Sequence, residues 1–333
     1  MKKKILVTGG GGFIGSHLVE ALVKKGHKVK ALVEYNTDNT WGWIDSFDPI
    51  IKKSVEVISG DIRDQNLVIK LVKNVDIIFH LAALISIPYS YISPRSYIST
   101  NIIGTLNLLE AIKASNVELF VQTSTSEVYG SSQYFPIDEK HPLNAQSPYA
   151  ASKIGSDQLA LSYNKSFNLP VTIIRPFNTF GPRQSLRAFI PTIITQIVSN
   201  KKIIKLGNLS SKRDFSYVSD TVKGFINCIE NKRCLGKSIN LGTGMAFSMQ
   251  ETLDIIIKEI GKKANIEIEK KRLRPKKSEV DHLLSSNILA KKLINWEPVF
   301  KNKNGFRKGL QKTIDWFSKS ENIKLYKSDL YNL

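Results

Sequence analysis

The sequence predicts an α/β fold, a doubly wound parallel sheet with a smaller C-terminal lobe, and three observations carry the prediction. Short apolar strands alternate with amphipathic helices from residue 4 to residue 174. A glycine-rich turn joins the first strand to the first helix. The chain has 333 residues, more than a single core usually supports, so two lobes are expected.

Lys4–Thr8, KILVT, reads as the first strand. After the glycines, apolar periodicity marks a helix from Phe13 to Lys25, closed by Gly26-His27. Lys28–Val33 and Val55–Ser59 follow as strands, Asp64–Lys73 as an amphipathic segment and Asp76–His80 as a fourth strand. The alternation continues with a helix over 96–114, a strand over 118–122, a helix over 148–166 and a strand over 170–174. After Pro176 the rhythm changes: loops, a helix at about 189–200 and the basic pair Lys212-Arg213. Residues 216–247 return to strand-helix-strand and are expected to rejoin the first lobe. Residues 248–320 read as helices with a short strand, Ala264–Ile268, and a basic loop, Lys270–Lys277. The expected division is therefore 1–175 plus about 216–247 for the first lobe. About 176–215 plus 248–320 form the second, and 321–333 a peripheral tail.

The composition, 42% hydrophobic and 23% charged, is that of a globular protein. No apolar run reaches the ~18 residues of a membrane span. Ile5-Leu6-Val7 is too short for the core of a signal peptide. Cys228 and Cys234 make no disulfide framework and read as buried or incidental thiols in a cytoplasmic protein. The net charge of +19 comes from 48 basic residues, of which only ten are arginine, spread along the chain. That pattern disfavours a nucleic-acid groove and leaves a positive field suited to a small anionic substrate. His17, His80 and His141 show no metal-ligand spacing, and no metal is expected.

Gly9, Gly12 and Gly15 supply G-x-x-G-x-x-G, with Phe13 and Ile14 opening the helix. Glycines there permit a tight turn and close approach of backbone to a pyrophosphate at a helix N-terminus. Glu34, with Asp38 nearby, ends the second strand, where a carboxylate accepts a ribose hydroxyl and repels a 2′-phosphate. NAD is expected, with NADP possible. Asp61 and Ile62 are candidates beside the adenine, and Leu81, Ala82 and Ala83 for lining the cofactor. Tyr149 and Lys153 stand four apart on a predicted helix and share a face. A phenol with a pKa of ~10 needs a neighbouring ammonium to act as a base at neutral pH. Thr125 supplies a hydroxyl upstream, with the carboxylate of Glu127 on the same short segment.

Together these motifs resemble the extended short-chain dehydrogenase/reductase family in its nucleotide-sugar branch, over about residues 3–315. The matching segments are TGGGGFIGSH at 8–17, GDIRD at 60–64, HLAA at 80–83, TNIIGT at 100–105, TSEVYG at 125–130 and SPYAASK at 147–153. RPFNTFGPR at 175–183, RDFSYVSD at 213–220 and RPKKSEV at 274–280 complete them. The resemblance implies a Rossmann lobe, a sugar-nucleotide lobe and a homodimer joined by the helices near 96–114 and 148–166. It adds Asn101 and Thr123 to the cofactor set. It makes Ser86, Asn178, Arg183, Arg187, Arg213 and Arg274 substrate ligands, with Arg213 and Arg274 on the pyrophosphate.

Thr125-Ser126-Glu127 resembles the Thr-Asp-Glu or Thr-Ser-Glu of the 4,6-dehydratases. In that chemistry C4 is oxidised, Glu127 removes the C5 proton, water leaves C6 and hydride returns to C6. Ser126 stands where many relatives carry the acid that protonates the leaving hydroxyl. The same triplet occurs in UDP-glucuronate decarboxylases, which together with 4-epimerases are the enzymatic alternatives. A dinucleotide sensor of the same fold is the non-enzymatic one. The segments at 86–101 and 175–197 resemble dehydratases of UDP- or GDP-linked N-acetylglucosamine, as in legionaminic acid synthesis.

Overall fold

The structure, a computed structural model, describes residues 2–327. Seven strands form one parallel sheet: β1 (Lys4–Thr8), β2 (Lys28–Glu34), β3 (Val55–Gly60), β4 (Ile77–His80), β5 (Leu119–Thr123), β6 (Val171–Pro176) and, later in the chain, β10 (Ser238–Leu241). Their order is β10-β6-β5-β4-β1-β2-β3. Apart from Lys4 all of β1 is buried, as are all of β4 and β6, which is why these runs are almost continuously apolar. Helices cover both faces, with one core cluster on each side of the sheet. The chain crosses from β3 at one edge to β4, on the far side of β1. That reversal opens a crevice above the carboxyl ends of β1 and β4.

Each site-bearing helix has a local reason to start where it does. The helix Gln65–Val72 is capped by Asp64, whose carboxylate accepts from the N–H groups of Asn66 (2.9 Å) and Leu67 (3.2 Å). The helix Pro148–Phe167 is capped by Ser147, which accepts from the Ala150 N–H at 3.1 Å. It ends at Asn168 in the left-handed region. The segment expected as one helix over 96–114 contains a π-helical stretch, Ile98–Ile103, before its α-helical part Gly104–Lys113. A Cβ at Gly104 would lie 2.8 Å from Ile62 Cγ2, so glycine lets this helix press on the loop after β3.

The second lobe holds two small sheets. β9 (Lys212–Tyr217) pairs with β7 (Asn178–Phe180), β11 (Ala246–Ser248) and β13 (His282–Leu283), while β8 (Ile203–Leu206) pairs with β12 (Asn265–Ile268). This divides the 216–247 segment otherwise than expected. The helix Val218–Asn227 and β10 rejoin the first lobe, but the strand before them belongs to the second sheet. The local pattern marks a strand and cannot name its partners. The tail is also less peripheral than expected. Tyr326 packs against Trp43, Trp316 and Phe317 and donates its hydroxyl to the Gln184 carbonyl at 3.0 Å. The rest of it, residues 328–333, lies outside the described residues. No helix among the described residues is long and apolar enough to cross a membrane.

Candidate active site

The glycine turn sits at the crevice. Gly9 has φ +70°, and a Cβ on it would meet the Ala82 nitrogen at 2.8 Å. A Cβ on Gly15 would lie 2.1 Å from the Gly9 carbonyl oxygen, so the turn closes only without side chains. Gly12 caps the helix Phe13–Lys24 with no side-chain acceptor, leaving first-turn N–H groups available to an anion. Glu34 is exposed at the end of β2. Thr123, at the end of β5, has a buried hydroxyl oxygen with no hydrogen-bond partner among the described residues. A backbone cradle, free amide donors, a rim carboxylate and an unsatisfied hydroxyl fit a dinucleotide.

The loop after β4 is held by a chain of hydrogen bonds. Leu81 and Ala82 both donate their N–H to Thr8 Oγ1 at 3.1 Å. With its lone pairs taken, Thr8 donates its own proton to His80 Nδ1 at 2.7 Å. His80 Nε2 therefore carries the ring proton and donates to Thr105 Oγ1 at 3.1 Å, and Thr105 donates to the Asn101 carbonyl at 2.6 Å. Burial drives the His80 pKa down to about 3, so the ring is neutral, as this tautomer requires. Asn101 accepts from the Leu84 N–H at 2.9 Å and donates to the Leu84 carbonyl (3.0 Å) and Ser152 Oγ (2.9 Å). Its amide thus braces the loop after β4. Asp61 is likewise committed: Arg63 Nε lies 2.9 Å from each carboxylate oxygen, and this guanidinium holds the Asp61 carboxyl below its ordinary range. Ile62 is buried beneath Gly104. Leu81, Ala82 and Ala83 line the crevice edge, partly buried.

Thr125 leaves β5 and caps the short turn Ser126–Tyr129, its hydroxyl accepting from the Glu127 N–H at 3.2 Å. Gly130 closes the turn at φ +60°, where a Cβ would lie 2.3 Å from the Asn144 carbonyl oxygen. Tyr149 is buried and stands edge-on to Tyr97 with ring centroids 6.2 Å apart, with the Thr125 hydroxyl close enough to act on its pKa. Burial raises the Tyr149 pKa strongly, Thr125 opposes this, and the Glu127 charge adds to the rise. Lys153 is also buried, which brings its pKa down to about 8 against the pull of Asp157. Ser126 is buried at the same turn. Glu127 is paired with Arg274 Nη1 at 3.4 Å.

Beside this cluster lies a cleft of about 250 Å³ lined by Asn178, Arg187, Arg213 and Arg274 among the expected ligands. Arg213 is buried, donates to the Lys212 carbonyl at 2.9 Å and pairs with Glu279 at 3.5 Å. Asn178 Oδ1 is buried without a hydrogen-bond partner among the described residues. Two expected ligands lie elsewhere. Arg183 pairs with Glu20 of the first helix at 2.8 Å and covers the Phe47 ring, because its backbone, at φ +68°, turns it toward the first lobe. Ser86 begins the helix Ile87–Ile92 and its carbonyl accepts from the Tyr97 hydroxyl; its neighbour Pro88 reaches the cleft instead. Sequence reading missed Arg272, Glu279 and Asn208, which also line the cleft. The first two sit in or beside the basic loop singled out above, whereas nothing local marks Asn208. His17 and His141 hydrogen-bond to the carbonyls of Pro182 and Pro142. Cys228 and Cys234 are free and buried. No cluster of metal-ligating side chains occurs among the described residues.

The family described as GDP-mannose 4,6 dehydratase matches residues 6–309. The chain belongs to this family. It is a member of the extended short-chain dehydrogenase/reductase superfamily of nucleotide-sugar dehydratases and epimerases. Its relatives have diverged in chemistry while keeping the frame. The dTDP-D-glucose 4,6-dehydratase of Mus musculus is 30% identical over 327 residues, 96% of this chain and 89% of that one. UDP-glucuronic acid decarboxylase 1 of Arabidopsis thaliana is 32% identical over 323 residues, covering 94% and 69%. The crystal structure of a UDP-glucuronic acid 4-epimerase variant from Bacillus cereus, solved with UDP-4-deoxy-4-fluoro-glucuronic acid and NAD, superposes with a TM-score of 0.85. It is 28% identical, and the match covers 97% of this chain and all of that one.

Proposed function

We propose that this family member is an NAD-dependent 4,6-dehydratase of a UDP- or GDP-linked N-acetylhexosamine, forming the 4-keto-6-deoxy sugar. The observation that carries the reading is Glu127, a carboxylate on the same turn as Thr125 and close enough to raise the Tyr149 pKa by its charge. A site needing only oxidation and reduction has no use for a second base there.

Gly9, Gly12, Gly15, Glu34 and Thr123 would hold NAD, which supplies the oxidant at C4 and the returning reductant at C6. Tyr149 takes the proton of the C4 hydroxyl while Thr125 hydrogen-bonds the same oxygen. Lys153, as an ammonium, favours the phenolate. The C4 ketone acidifies the C5 proton, which Glu127 removes. Ser126 holds the C6 hydroxyl, and the protonated Glu127 gives its proton to that hydroxyl as it leaves as water; C5 regains a proton as the reductant returns to C6, matched overall by the one Tyr149 took from the C4 hydroxyl. Arg213, Arg274 and Asn178 grip the diphosphate, with Arg187 at the cleft mouth. Residues 1–175 and about 216–247, less the strand at 212–217, form the cofactor lobe; the remainder to 320 forms the sugar-nucleotide lobe. The exposed Ile98 and Ile103, at 52% and 41%, support a homodimer joined along the helices near 96–114 and 148–166. The likeness of segments 86–101 and 175–197 supports a role in supplying legionaminic acid.

Decarboxylation of UDP-glucuronate is the second reading. It is favoured by the Arg274 guanidinium 3.4 Å from Glu127, a cation that would receive a sugar carboxylate. Mass spectrometry after incubation with UDP- and GDP-N-acetylglucosamine and UDP-glucuronate separates the readings. Loss of water marks dehydration, loss of carbon dioxide marks decarboxylation, and an unchanged mass with an inverted C4 marks epimerisation. Either of the last two outcomes refutes the dehydratase assignment.

A further inference from the structure

Behind Tyr149 and Lys153 runs a buried polar seam that the mechanism above does not use. Asp157 follows Lys153 by four residues, so both side chains leave one face of the helix Pro148–Phe167. Asp157 Oδ2 accepts from Ser124 Oγ at 2.7 Å and from Arg175 Nη2 and Nε at 3.2 and 3.3 Å. Arg175 Nη1 donates to the Tyr129 hydroxyl at 3.0 Å, and Tyr129 donates to Asn240 Oδ1 at 2.7 Å. Asp157 Oδ1 is buried with no hydrogen-bond partner among the described residues. Ser124 sits between Thr123 and Thr125, at the end of the strand that delivers the Thr125 hydroxyl.

A buried ion pair is weak support for a fold, since apolar residues of similar volume often serve as well. Its placement points to another use. Lys153 is buried one helical turn from both Tyr149 and Asp157, and its charge acts on His80 of β4, whose ring is neutral. Burial disfavours its ammonium, and the Asp157 charge opposes burial. The Asp157 carboxyl is itself pushed up by burial, against Arg175, Ser124 and Lys153, which favour its ionised form. Tyr149 in turn faces Thr125 and Glu127 of the turn after β5 and Tyr97 of the neighbouring helix.

We propose that Asp157 is a positioning residue: anchored by Arg175 and Ser124, its carboxylate holds Lys153 as an ammonium beside Tyr149 and fixes the strand end that carries Thr125. This rests on the reading that Tyr149 and Lys153 carry the redox half of the reaction.

The test is the Lys153 titration in the NAD-loaded enzyme, followed by NMR with 13C at lysine Cε and assigned by its loss in Lys153→Met. In Asp157→Asn the midpoint falls by about one pH unit, about tenfold in proton affinity. In Ser124→Ala, which keeps the charge, it stays. Because Asp157→Asn strands the Arg175 guanidinium, Asp157→Asn/Arg175→Gln is measured beside it, and a fall in the same direction is expected. An unchanged midpoint in the folded variants overturns the proposal. With UDP-N-acetylglucosamine the alkaline limb of turnover moves down by the same amount. Absence of wild-type turnover on that sugar would count against the substrate reading alone, since the NMR midpoint needs no substrate.

Discussion

The two sides of Tyr149 differ in how their charges are held. Behind it, Asp157 and Arg175 are buried and tied at 3.2–3.3 Å, with Ser124, Tyr129 and Asn240 completing the network. In front, Arg274 meets Glu127 at 3.4 Å and Arg213 meets Glu279 at 3.5 Å. Both of these carboxylates keep some exposure, and Asn178 Oδ1 is unmatched. The rear charges cannot exchange partners without leaving an ion uncompensated in the interior, which is costly. On the proposed reading the front charges can, because an entering diphosphate would offer the arginines a better acceptor. Proton transfer needs donors fixed in advance, whereas substrate capture needs contacts that can be traded.

The sharpest way to break this comparison is Tyr149→Phe. The redox step should fall about a thousandfold or more, read as loss of the transient absorbance of reduced cofactor. Retained oxidation would show that the phenol is not the base. Glu127→Gln should lower dehydration about a hundredfold to a thousandfold while C4 oxidation survives, so reduced cofactor persists after substrate is added. Full turnover by that variant would remove the elimination base from the site. Arg213→Ala and Arg274→Ala should raise KM about tenfold to a hundredfold with a smaller change in kcat, as expected for charge-assisted contacts to phosphate. A pure kcat effect would contradict traded contacts.

A pH titration tests the rear side. Lys153 has its pKa lowered to about 8, and on the proposed reading it acts as the ammonium, so the redox rate should decline as pH rises through about 8. Stability runs the other way. The unfolded chain binds this proton more tightly than the fold does, so this group's contribution to stability grows as pH rises from about 8 toward the ordinary lysine value. A flat rate profile across that window would show that the lysine charge is not used. The smallest effect is expected for Ser126→Ala, about threefold to tenfold in turnover for one neutral hydrogen bond to the leaving hydroxyl.

Much of the site was legible because its parts are local. Gly9 to Gly15 lie on one turn, Tyr149 and Lys153 on one helix face, Thr125 and Glu127 on one short segment. What escaped reading depends on partners far along the chain. The Asn101 amide is held by Leu84 and Ser152, which its own segment does not announce. Arg183 pairs with Glu20, distant in sequence. His80 gives no signal alone, yet it links Thr8 to Thr105 and so holds the loop that closes over the glycine turn.

The sequence by itself determined the α/β class, the glycine cradle, the Tyr149–Lys153 pair and the carboxylate on the Thr125 turn, since each follows from residues a few positions apart. Only the tertiary structure decided that the strand at 212–217 joins the second sheet, that Arg274 rests on Glu127, and that Asp157 pairs with Arg175 in the interior. Pairing of strands and of buried charges is settled by which surfaces the packed chain brings together, and local periodicity carries no record of that.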